Sequence, residues 1–362
     1  MAGIGIDKIV GRVLKMDGDA NDPDRFMCVS VLIDESVSPA LVEHARGTLR
    51  PTTGNVRMTI DSYYDEAISV AEGEDLAIVL ANNSLWTGAV ASIAKAKGVP
   101  CVIVAEQLKP VIAHAEATGF LIDYENIISP EVLFTGLGSL SLPAPVAQIA
   151  DRGLGVAETA ANLALRDVPE KLFGRVFSID RINLTGGGAA ARKEEVYDKL
   201  FDELGGWVMR NCDEVAAPFA KAFEFSRSAQ AGQVTRRTAF ENAVTGAIFF
   251  IPGADFPIMT FNEVRMLIRI ERAYGHEVDK QMLIEAAMVI CFGFACKLVA
   301  SGMCKAFPAL SWFIKTGIAY CATFAMGVAM QGHCENGRVL PHVVVAQLQR
   351  FAPKLLPEHL QG

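Results

Sequence analysis

The sequence predicts an α/β fold followed by an all-α domain: a doubly wound, mostly parallel sheet, then a helical domain carrying an apolar hairpin. Three observations carry this. Short apolar runs alternate with helix-length segments from Arg25 to about Pro130, as in sheets built from strand, crossover helix and strand. The runs DLAIVLA and PCVIVA are continuously apolar rather than alternating, as strands covered on both faces are. Finally, the last fifty or so residues of the segment from Asn242 to Cys334 contain only Glu285, Lys297, Lys305 and Lys315 as charges. A soluble domain carries about 25% charged residues, so this stretch needs lipid or a large protein core around it.

The 362 residues divide as an N-terminal segment 1–24, an α/β domain 25–150, a helical linker region 151–234, a helical domain 235–335 and a tail 336–362. MAGIGIDKIVGRVLK is interrupted by Asp7, Lys8 and Arg12 and does not read as a signal peptide. Within 25–150 the expected strands are FMCVSVLI, NVRMTI, DLAIVLA, PCVIVA and ENIIS. Between them SPALVEHARGTL, YDEAISVAEG, LWTGAVASIAKAKG and QLKPVIAHAEATG have apolar residues at helical spacing, most closing on a glycine stop.

Open sheets of this kind bind ligands beyond the carboxyl ends of their strands. The loops there hold Asp34 and Ser36, then Asn82, Asn83 and Ser84, then Glu106, then Ser129. They form either a pocket for a small polar ligand, with Asp34 or Glu106 as acid, base or metal ligand, or a set of helix caps in which Ser36 and Ser84 start helices and the acids are solvated first-turn residues. A P-loop needs glycines and a lysine directly after the first strand, where this chain reads IDESVSPALVEHAR, so ordinary nucleoside triphosphate hydrolysis is not expected. Neither the GLG at 136–138 nor the GGG at 186–188 has dinucleotide-binding spacing.

Composition narrows the partners. A formal charge of −8 argues against general nucleic-acid binding, which requires a basic surface. Mean hydropathy of +0.29 is high for a soluble chain and arises mostly in the C-terminal third. The eight cysteines show no CxxC pair and no histidine at metal-ligand spacing; free thiols, a reducing compartment and no metal or cofactor are expected.

Beyond Gly188 helices resume at AARKEEVYDKLFDELGGWVMRNCDEV, where Val196, Leu200, Leu204 and Val208 recur every four residues as a packing face. Pro218 and Gly232 punctuate the next stretch, and Asn242 to Ile251 reads as a short apolar helix ended by Pro252-Gly253. The helix after it is amphipathic: Arg265, Arg269 and Arg272 share one face, suited to an anionic membrane surface or to acidic partners. Two apolar pieces come next, MLIEAAMVICFGFACKLVASGMC and ALSWFIKTGIAYCATFAMGVAMQGHC, each near the length that spans a bilayer. The second has two small-residue stripes, Ala319-Thr323-Gly327 and Cys321-Ala325-Ala329, which permit close helix packing.

The stretch IPGADFPIMTFNEVRMLIRIERAYG, with its turn of Pro252, Gly253, Asp255 and Pro257, and the apolar hairpin after it resemble the YcjF-type family of unknown function over about residues 235–333. That resemblance implies a bacterial protein of the inner membrane with its soluble domain on the cytoplasmic side. Because the family's domain often lies downstream of a GTPase domain, it also implies that the α/β half is either a degenerate GTPase-like unit or a generic Rossmann-like module. PCVIVAEQ stands where a GTPase carries its guanine-reading motif, and IISP where its last base-contacting loop falls; neither motif is intact. The reading of the whole is a membrane-associated adaptor with lipid and an unidentified protein partner, or self-association, as its contacts. The alternatives are an enzyme or nucleotide-binding protein using the strand-end loops, and a soluble oligomer built on the apolar helices.

Overall fold

A computed structural model describes residues 22–64, 70–135, 189–248, 256–277, 279, 281–282, 284–288, 291, 302–303 and 311–338. The described residues fall into two compact units, 22–135 with 189–230, and 231–338.

The first unit is an α/β fold. Its five strands, β1 (Met27–Asp34), β2 (Val56–Tyr63), β3 (Leu76–Ala81), β4 (Cys101–Ala105) and β5 (Ile127–Ile128), form one sheet in the order β2-β1-β3-β4-β5. Every pairing is parallel. All six residues of β3 are buried, which is why DLAIVLA is apolar without alternation. Edge strand β2 is only partly covered and keeps the mixed composition VRMTIDSY. The connecting helices are α1 (Pro39–Thr48), α2 (Thr87–Ala96) and α3 (Leu108–Thr118), with a short α4 (Pro130–Thr135) after β5. Most of the predicted YDEAISVAEG helix lies outside the described residues.

Two further helices belong to this unit. In α5 (Ala189–Asn211) the four-residue periodicity is a packing face: Leu200, Leu204 and Val208 are fully buried, with Tyr197 and Phe201 beside them. The α6 helix (Asp213–Ala222) contains Pro218 in its interior instead of ending there. A proline cannot donate to the carbonyl four residues back. Here that carbonyl, of Glu214, accepts instead from the Arg25 guanidinium at 3.1 Å, and Arg25 also pairs with the Glu214 carboxylate at 3.1 Å.

The second unit is helical. The α7 helix (Arg227–Ile248) runs unbroken through Asn242, correcting the expectation of a helix that starts there. No proline interrupts the run, and a single glycine such as Gly232 costs a helix only about 1 kcal/mol. Next come α8 (Phe256–Ala273) and α9 (Ser311–Glu335). Pro257 is exposed in the first turn of α8, where its missing N–H costs nothing; Pro252, Gly253 and Asp255 lie outside the described residues. The apolar face of α8 is as predicted: Val264, Leu267, Ile268 and Ile270 are fully buried, in one cluster with Ala231, Val234, Met326 and Met330. Of the predicted hairpin, the second apolar piece is α9, while most of the first lies outside the described residues.

The two small-residue stripes of α9 part company. Ala319 and Thr323 are buried and Gly327 packs so closely on α7 that a Cβ there would collide with Thr235, whereas Ala325 and Ala329 are more open. Packing needs only one seam, and the stripe containing glycine permits the closer approach.

Candidate functional site

In the order 2-1-3-4-5 the sheet's winding reverses between β1 and β3, the place at which open sheets of this kind bind ligands beyond the carboxyl ends of their strands. Asp34 ends β1 at that point and is 3% exposed. Its carboxylate receives five donors: the Ser36 amide at 2.9 Å, the Ser36 hydroxyl at 2.6 Å, and the amides of Asn82, Asn83 and Ser84 at 3.0, 3.1 and 3.1 Å. Four of the five converge on Oδ2 while Oδ1 accepts from the Ser36 amide alone, so the carboxylate is engaged chiefly in holding the two loops. Two more bonds tie the loops together: Asn82 Nδ2 donates to the Ser36 carbonyl at 2.8 Å, and the Asn83 amide donates to Ser36 Oγ at 2.8 Å.

The loops after β1 and β3 therefore converge, but around a carboxylate that serves the backbone. Ser36 is not the helix cap. Pro39 fixes the first turn of α1, so Ser38 takes the N-cap, its Oγ accepting from the Leu41 amide at 3.3 Å. Ser84 likewise precedes α2 without capping it, and its Oγ accepts from the Trp86 amide at 3.0 Å. Glu106 joins a neighbouring set, accepting from the Ser38 amide at 3.0 Å and from the Tyr197 hydroxyl at 3.1 Å. Burial first, and then the Glu106 carboxylate, push the Tyr197 phenol up from its ordinary range. Ser129 is fully buried and caps α4 through the Val132 amide at 3.3 Å.

The helical unit holds polar groups that the periodicity did not single out. Midway along α9, Thr323 Oγ1 accepts from Asn242 Nδ2 at 2.9 Å and approaches Glu263 Oε1 at 3.5 Å; Asn262 Nδ2 donates to Asn242 Oδ1 at 2.9 Å. Glu263 is 4% exposed. Burial pushes its carboxyl up to about 7, against a smaller lowering by the Thr323 bond.

Two turns further along α8, Glu271 is fully buried, as is Glu285. The end of α9 brings Arg338 onto both. Gly337 and Arg338 have φ of 74° and 58°, and the Arg338 amide donates back to the His333 carbonyl at 2.9 Å. That left-handed hook turns the guanidinium inward, where it lies 3.1 Å from Glu271 Oε2, 3.1 Å from Glu285 Oε2 and 3.1 Å from each Asp279 oxygen. A non-glycine residue at positive φ costs of order 1 kcal/mol, which these ion pairs offset. Burial and the Glu285 carboxylate beside it push Glu271 up to about 8. Glu285, although equally desolvated, is drawn down to about 2 by its bonds to His333, Glu271 and Arg338. One proton held on Glu271 thus lets two buried carboxyl groups share one site. The start of the tail, at Arg338, supplies the closing cation.

Also at this place, the ligand-capable atoms of Glu271, His276 and Cys334 all lie within 4.8 Å of one another. Linear spacing could not reveal this, because Cys334 stands on another helix. The only hint in the sequence was Glu285, a lone acid within an apolar run.

Arg265, Arg269 and Arg272 lie half-buried along α8, and none is a free charge. The Phe313–Glu335 part of α9 is 23 residues long and apolar enough to cross a membrane; 28% of its most apolar window is buried within the fold. Comparison of the chain with known protein families, with curated proteins and with solved structures finds no match.

Proposed function

We propose that this protein is a membrane-associated adaptor without chemistry of its own, in which the α/β unit recognises a protein partner or small ligand and the helical unit holds it at a membrane. The observation that carries the reading is α9: 23 residues from Phe313 to Glu335, with less than a third of their most apolar window buried within the fold. Most of the helix is half-buried and Phe313 is exposed; the apolar area it leaves to water costs about 25 cal/mol per Å², and lipid removes that cost. The Asp34 carboxylate, buried and bonded to four backbone amides and a hydroxyl, supports the non-enzymatic half of the proposal, since those donors stabilise its charged form and tie it to the loops. The all-parallel order 2-1-3-4-5 is one of the two common doubly wound orders, which supports reading the α/β unit as a generic Rossmann-like module. By the family resemblance, the membrane is the bacterial inner membrane and the α/β unit is cytoplasmic.

Membrane fractionation of the full chain followed by an alkaline carbonate wash tests the reading. Retention in the pellet is the expected result. Release as a defined, detergent-free oligomer refutes it and assigns the apolar face of α9 to a second copy of the chain.

A further inference from the structure

We propose that the Glu271, His276 and Cys334 cluster is a binding site for a divalent transition-metal ion of the zinc class, joining the end of α8 to the end of α9. The residues reach it by different routes. Glu271 is in the last turn of α8. His276 lies just past that helix, where Gly275 at φ 83° reverses the chain and the His276 amide donates to the Glu271 carbonyl at 3.0 Å. Cys334 is in the last turn of α9.

The geometry is that of a ligand set. Zinc is held by thiolate at about 2.3 Å and by carboxylate oxygen at about 2.0 Å, which at a tetrahedral angle sets sulfur and oxygen about 3.5 Å apart. Cys334 Sγ and Glu271 Oε1 are 3.5 Å apart. All three donor atoms lie within 4.8 Å of one another, so an ion at their centre needs only small side-chain adjustments. Glu271 and Cys334 are buried, while His276 is half-buried.

The surroundings suit a cation. Arg338 Nε sits 3.1 Å from Glu271 Oε2 but out of hydrogen-bonding line, so that buried oxygen makes an ion pair and no hydrogen bond. The guanidinium instead bonds Asp279 and Glu285. Glu271, Asp279 and Glu285 face this one guanidinium, and a bound ion that displaced the protons of Glu271 and Cys334 would offset most of the negative charge it exposed. Contacts of this kind behind a ligating carboxylate are how metal sites fix their ligands. The mixed oxygen, nitrogen and sulfur set selects zinc or cobalt over calcium or magnesium, which take oxygen. Binding displaces the thiol proton of Cys334 and any proton on Glu271, with no change of oxidation state.

The test is titration of the purified full-length, chelator-treated protein with Co(II), followed by competition with Zn(II). The expected result is one equivalent bound, with a thiolate-to-cobalt charge-transfer absorption that Zn(II) abolishes. His276→Gln changes a half-buried residue beyond a helix end and should leave the fold intact, yet weaken binding about 10-fold or more. Cys334→Ser should abolish the charge-transfer absorption, and Cys321→Ser, on the same helix but outside the cluster, should keep it. Absence of the absorption from the unmodified protein, its persistence in Cys334→Ser, or unchanged affinity in His276→Gln overturns the proposal.

Discussion

Replacing Asp34 by alanine isolates the role of the strand-end carboxylate. The substitution removes the acceptor for the amides of Ser36, Asn82, Asn83 and Ser84. Ser36 and Asn83 are exposed or nearly so, and their amides regain water at little cost, while the amides of Asn82 and Ser84 are the more enclosed. A donor left without a partner costs about 1–3 kcal/mol, which for two of them amounts to about 4 kcal/mol of local stability. Since about 1.4 kcal/mol is a factor of ten, amide hydrogen exchange over residues 82–84 should accelerate about a thousandfold. Asp34→Asn keeps one carbonyl oxygen and should lose about half of that free energy. Hydrogen exchange followed by mass spectrometry on the full chain reads both variants. If exchange at 82–84 is unchanged in Asp34→Ala, the carboxylate is not holding the β3 loop, and its assignment to a structural role fails with it.

The remaining predictions concern the helical unit. Glu263 has a folded pKa of about 7 against an ordinary 4.5, so the folded state binds more protons between those values, and stability falls as pH rises through that window. The full effect is about 3 kcal/mol; Glu263→Gln should raise the thermal midpoint at about pH 8 and reduce its pH dependence between about 5 and 8, the part that remains belonging to Glu271. Arg338→Met leaves the buried Glu271 and Glu285 without their cation and should cost about 3–5 kcal/mol in thermal or denaturant unfolding, with Glu285→Gln in the same chain recovering part of it. Gly327→Ala drives a methyl group into Thr235 and should cost about 1–3 kcal/mol, whereas Ala329→Leu on the open stripe should change stability by less than about 0.5 kcal/mol.

Much of this architecture comes from local chemistry. DLAIVLA and PCVIVA are strands because runs this short and apolar, bounded by turn residues, bury both faces in a parallel sheet, and β3 and β4 occupy those runs. The buried faces of α5 and α8 arise from helical periodicity, with Leu200, Leu204 and Val208 on one and Val264, Leu267 and Ile268 on the other. Periodicity is a property of neighbours along one chain segment, and so it is written in the sequence. What each polar group meets is decided by segments far apart in the chain. That Asp34 would bind amides 48 to 50 residues away, rather than a ligand, depends on β1 and β3 lying side by side. That Ala319-Thr323-Gly327 would be the seam of α9, and Cys321-Ala325-Ala329 not, depends on where α7 places Thr235. Glu271, His276, Cys334, Glu285 and Arg338 span nearly seventy residues and share no spacing rule. A buried charge is tolerable only where its partner is delivered in three dimensions, and here a left-handed turn after α9 delivers it.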